Sequence, residues 1–177
     1  MKHLPRCAGL ALLLVALTAA AYGAPPATTP DAFLARLAGD WNLLGTVLGK
    51  PVRYHGSGRW VLNDAWLCLS LIDQDTPSTY QASVYVGHDA HTDDYIAHWL
   101  DKFGAAGARV LGSGRREGDT LVLLFPYQEG AFRDTLTLPA DGASGTLLLE
   151  SQHPHGHWST FASYRLTRVQ RHSPARQ

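Results

Sequence analysis

The chain has 177 residues, of which 45% are hydrophobic, and its 15 Lys and Arg balance 15 Asp and Glu. That length suits one domain with a substantial core, and a balanced charge without a basic stripe excludes nucleic acid and acidic membrane surfaces as expected partners. With only two cysteines, Cys7 and Cys68, a disulfide scaffold is excluded as well.

Residues 1–23 read as a signal peptide. Lys2 and Arg6 give a positive start, and the apolar run from Leu10 to Ala20 is too short to span a bilayer. Small residues at Ala21 and Gly23 suit cleavage after Gly23. The expected protein is therefore periplasmic or secreted, without membrane insertion once the signal is removed. Cleavage discards Cys7, two basic residues and no acidic one, leaving a slightly acidic domain with a single thiol. Cys68, within Trp66-Leu67-Cys68-Leu69, reads as a small buried hydrophobe rather than a nucleophile. Residues 24–30 form a Pro/Thr linker.

From Asp31 the pattern predicts a short amphipathic helix that runs into Gly39, with Trp41 opening the first strand. Thr29 is placed to cap it, Pro30 suits its first turn, and Phe33, Leu34 and Leu37 form one apolar stripe. Gly39 is expected to end the helix in a left-handed conformation. Beyond Trp41 no second helical period occurs. Runs rich in Val, Leu, Thr and aromatics alternate with turn signals, and predict strands over 41–48, 54–62, 65–73, 80–87, 94–101, 108–115, 120–127, 131–138, 145–152 and 157–168. Short connections imply antiparallel neighbours, and about ten strands in one meander remove their exposed edges by closing. The expected fold is all-β, an up-and-down antiparallel closed barrel over 31–169 with the short N-terminal helix plugging one end, followed by a flexible tail over 170–177.

The leading helix, Gly39-Asp40-Trp41 at the entry to the first strand, and Tyr164-Arg165-Leu166-Thr167-Arg168 at the end of the last resemble the calycin superfamily of lipocalins and fatty-acid-binding proteins. The segments Gly58-Arg59-Trp60-Val61-Leu62 and Tyr95-Ile96-Ala97-His98-Trp99-Leu100-Asp101 are similar to those of an uncharacterised group of bacterial secreted calycin-like domains. The resemblance implies a calyx holding a small, mostly apolar molecule, and a closure in which Arg168 stacks over Trp41.

Strand parity nominates the wall of that calyx. Tyr95 and Trp99 share one face of their strand, Phe132 and Leu136 one face of theirs, and Trp158 and Tyr164 one parity of the last. These six are the expected ligand-binding residues, because aromatic walls with a few polar groups line most small-molecule sites.

The sharpest polar cluster is His153-Pro154-His155-Gly156-His157. Its three imidazoles form a candidate Zn²⁺ or Cu²⁺ site, set against an ordinary exposed turn. His98 and Asp101 have opposite parity, Asp73 and Asp75 share a loop, and no serine sits on a strand-to-helix elbow. No catalytic constellation is therefore predicted, and nothing selects a haem or any other cofactor. The expected function is non-covalent, non-enzymatic binding of a small hydrophobic or amphipathic ligand. The alternatives are a periplasmic metal-binding protein using the histidines and an envelope enzyme with an unrecognised site. Ligand identity and oligomeric state are not encoded in these patterns.

Overall fold

The computed structural model describes residues 29–170. The expected signal peptide over 1–23, most of the expected 24–30 linker and nearly all of the expected 170–177 tail lie outside the described residues. One helical turn, α1 (Ala32–Ala35), precedes ten strands: β1 (Gly39–Val47), β2 (Lys50–Val61), β3 (Trp66–Asp73), β4 (Gln81–Asp89), β5 (Asp94–Asp101), β6 (Leu111–Glu117), β7 (Thr120–Phe125), β8 (Phe132–Thr137), β9 (Ser144–Gln152) and β10 (Trp158–Arg168). Each strand pairs antiparallel with the next, and β10 pairs back onto β1, so the sheet is a closed up-and-down barrel.

The local chemistry follows from the alternation. On β7 Leu121, Leu123 and Phe125 are buried while Val122 and Leu124 are exposed, and β4 buries Ala82, Val84 and Val86. Helix α1 differs from the expected helix in length and cap. Asp31, not Thr29, caps it, its carboxylate accepting from Leu34 N at 2.8 Å. The turn ends at Arg36 in ordinary right-handed geometry. Gly39 instead opens β1 at φ +122°, where a Cβ would lie 2.5 Å from Arg168 Nη1. Glycine is needed there both for the backbone and for the approach of that guanidinium.

The two ends of the barrel are furnished differently. At the α1 end, Phe33, Leu34 and Leu37 are buried together with Trp41, Tyr95, Leu138 and Leu166. Arg36 reaches from α1 to Asp119 at 2.6 Å and to the Leu138 carbonyl at 2.9 Å. The opposite end, where β3 runs into β4 and β9 into β10, carries most of the tyrosines and phenylalanines. Cys68 does not lie in the core: it is half-buried on the outer face of β3, paired across the ladder with Tyr85.

Candidate functional site

A cavity of about 70 Å³ lies inside the barrel, between the α1 end and the aromatic end. Its walls come from nearly every strand and from α1. Leu34, Leu37, Trp41 and Leu166 approach from the α1 side, Leu43, Leu69, Leu71, Val84 and Leu121 stand around its girth, and Trp99, Phe125, Leu136 and Asp134 complete it. Ten strands enclose more room than the eight that side chains just fill. Here large side chains take up most of that extra room. Gly112 on β6 is part of this arrangement, since a Cβ there would come within 2.5 Å of the Phe125 ring.

Asp134 is the ionisable group in that lining. It shares the inward face of β8 with Phe132 and Leu136, and only 6% of its surface is exposed. It faces Leu123 on β7 and Leu149 on β9. Among the described residues none donates it a hydrogen bond or pairs with it. Its oxygens are nevertheless not sealed in, because no enclosed side-chain polar atom among the described residues lacks a partner. Burial pushes its carboxyl up to about 7.

Above the cavity, two arcs of rings close the aromatic end. Phe103, Tyr80, Tyr54 and Tyr164 form one, with centroids 5.7–6.2 Å apart. Phe125, Tyr127, Phe132 and Phe161 form the other, with centroids 5.2–6.1 Å apart. Trp99 joins cavity to rim, its indole N–H donating to the Tyr80 hydroxyl at 3.3 Å. Burial raises Tyr80 and Tyr164 above the ordinary phenol range, so both stay neutral. The β3–β4 loop that delivers Tyr80 is pinned by Asp73. Its carboxylate accepts from Thr79 N at 2.7 Å, from Thr79 Oγ1 at 2.7 Å and from Tyr80 N. Although burial opposes its charge, those hydrogen bonds hold Asp73 below the usual carboxylate range.

The six expected ligand-binding residues are thus dispersed. Trp99 and Leu136 line one cavity. Phe132 and Tyr164 belong to the two rim arcs. Tyr95 points inward but is sealed beneath α1, edge-on to Phe33 at 6.2 Å and against His88 at 4.5 Å. It does not reach the cavity.

Trp158 is on the outer face. A β-bulge at Phe161 shifts the register between Thr160 and Ala162, so parity reverses partway along β10. Trp158 consequently lies under Arg133, whose guanidinium carbon is 4.4 Å from its ring centroid and bridges to Glu150 at 2.8 Å.

His153, His155 and His157, the candidate metal ligands, are all exposed in the turn between β9 and β10. His153 and His157 stack face to face at 4.4 Å, and His153 Nε2 is engaged by Ser159 Oγ at 2.7 Å. Stacked rings aim their lone pairs past a common point rather than at it. Among the described residues no three His, Cys, Asp or Glu side chains gather where a metal ion could sit.

Asp134 was missed although the sequence carries its signal. In Phe132-Arg133-Asp134-Thr135-Leu136 it holds the apolar parity, and a carboxylate at such a position points into the core. The roles of Tyr54 and Tyr80 are not local: Tyr54 meets Tyr164 and Tyr80 across the barrel, and Tyr80 is set by the β3–β4 loop that Asp73 pins.

Trp41 and Arg168 face each other across the closing ladder of β1 and β10. The guanidinium carbon is 4.3 Å from the Trp41 ring centroid, and the indole N–H donates to the Leu37 carbonyl at 2.9 Å. Arg168 also donates to the carbonyls of Ala38 at 2.7 Å, Gly142 at 2.6 Å and Arg36.

No protein-family model matches the chain, and no curated protein does. Among solved structures it is similar to Rv2717c from M. tuberculosis, with a TM-score of 0.53 and 13% identity over 77% of this chain and 95% of that one. At that identity the likeness concerns the barrel fold alone.

Proposed function

We propose that this is an exported calycin-type barrel that binds a small amphipathic molecule in its lumen, non-covalently and without chemistry. The observation that carries the reading is the cavity, apolar on nearly every side and bearing one carboxyl group on its wall. Apolar linings with few polar groups are the usual make-up of small-molecule sites. In this reading α1 is the stopper of one end, and the ring arcs of Tyr54, Tyr80, Tyr164 and Phe132 form the entrance at the other.

The volume limits the occupant. At about 70 Å³, the space is roughly half that of the engineered ~150 Å³ apolar cavity that admits benzene. The seated part of the ligand is therefore a short chain of a few heavy atoms, and any larger portion extends among the rim rings. Binding at a site this small is weak to moderate, since even the best tiny ligands gain at most about 1.5 kcal/mol per heavy atom.

The test is methyl NMR of the full chain with xenon and with 1-propanol as neutral probes. Saturable shifts are expected at Leu69, Leu121 and Leu136. They should vanish in Val84→Phe, which fills the cavity at an overpacking cost of about 1–3 kcal/mol. If neither probe gives saturable shifts at these methyls, lumen binding is ruled out.

A further inference from the structure

A carboxyl group with no donor inside an apolar cavity is an expensive thing for a fold to keep. Buried polar groups are almost always partnered by protein or by solvent, so a carboxyl that opens to the lumen and that no protein donor reaches is free to take a polar group of a ligand. Asp134 is such a group: it is 6% exposed, it lines the lumen, and no described residue donates to it. Leu123 and Leu149 flank it on the neighbouring strands, so the missing donor is not supplied by the walls.

The surroundings give that donor a sign. No Lys, Arg or His lines the cavity, so nothing there would neutralise an anion, and an anionic ligand would meet a second acid. Of the aromatic members of the lining, Trp99 and Phe125 carry π systems whose faces attract cations, while Trp41 already holds the Arg168 guanidinium on one face. Resting on the lumen-binding reading, we propose that the ligand of this cavity is a small protonated amine, its ammonium paired with Asp134 and its short apolar chain lying against Leu121, Leu123 and Leu136. Burial pushes the carboxyl up to about 7, and an adjacent ammonium draws it to the ionised form. The tyrosines that feel its charge, Tyr127 and Tyr164, are both raised and remain neutral, so neither adds a second anion beside it.

Three three-carbon probes on the labelled full chain at neutral pH separate the possibilities: n-propylamine, 1-propanol and propionate. The amine is expected to bind about tenfold or more tighter than the alcohol, a difference of at least ~1.4 kcal/mol, with propionate weakest. In Asp134→Asn the advantage of the amine should fall to within about threefold. If the alcohol binds as tightly as the amine, or propionate binds tightest, the amine assignment is overturned while lumen binding stands. If none of the three binds, both fall together. Should Asp134→Asn fail to fold, the ranking of the three probes on the unaltered protein decides alone.

Discussion

Two buried carboxyls pull the stability of this barrel in opposite directions with pH. Asp73 receives hydrogen bonds from Thr79 and Tyr80 and is held below its ordinary value. Its contribution is present above the unfolded value near pH 4 and is lost as pH falls below it. Asp134 has the reverse sign. Its folded carboxyl is raised to about 7 by burial, so its contribution is complete below the unfolded value near 4 and disappears as pH rises through 7. Between pH 5 and pH 8 this one group should cost the ligand-free protein about 2–3 kcal/mol, or a melting temperature lower by several degrees. Asp134→Asn has nothing to titrate, so its melting temperature should change much less over that range. Thermal unfolding of the two proteins at several pH values makes the comparison. Parallel curves for both would mean that Asp134 stays ionised in the fold.

At the scale of elements, the difference between reading and structure lies in single residues that break a period. All ten strands were legible within a few residues, because alternation and turn signals are local properties of the chain. The facing of Trp158 was not, because one extra residue at Phe161 inverts every position before it. Likewise the stretch from Asp31 up to Gly39 looks helical, yet α1 extends only over Ala32–Ala35. The chain must straighten there for Gly39 to enter β1 and meet Gly58 across the ladder. The cavity was the least legible part, since it is what remains when side chains from nearly every strand have been placed. The bulge makes a contrast between two tryptophans. Trp158→Ala removes an outer contact with Arg133 and should cost about 1 kcal/mol, leaving 1-propanol binding unchanged. Trp99→Ala deletes a wall of the cavity and should cost about 3–5 kcal/mol. It should also let the barrel take up benzene, for which the intact cavity of about 70 Å³ should be too small. Chemical denaturation and the same methyl shifts read both outcomes. A change in 1-propanol binding in Trp158→Ala would contradict the outward placement.

For the molecule as a whole, closure is the feature on which every other depends. A ten-strand meander left open would present two unpaired edges, each a template for aggregation. The pairing of β10 with β1 removes both, and Arg168 is the residue that locks it. One side chain joins the last strand to the carbonyls of Arg36 and Ala38 in the α1–β1 connection and to Gly142 in the β8–β9 turn, while its plane covers Trp41. Lysine cannot replace it, because a point charge offers neither the fork of donors nor the flat face. Trp41→Ala should cost about 3–5 kcal/mol as a buried aromatic truncation. Arg168→Ala should cost somewhat less, about 2–4 kcal/mol, since three carbonyls lose a charged donor but regain access to water. The double variant should lose less than the two single losses added together, by about 0.5–2 kcal/mol, because the groups touch and share one junction. Urea denaturation of the four proteins of the cycle measures that coupling. Arg168→Ala should also aggregate faster on mild heating, as β1 and β10 part and expose their edges. Strict additivity in the cycle, with no change in aggregation, would mean that the barrel is held shut by its ladder of backbone hydrogen bonds alone.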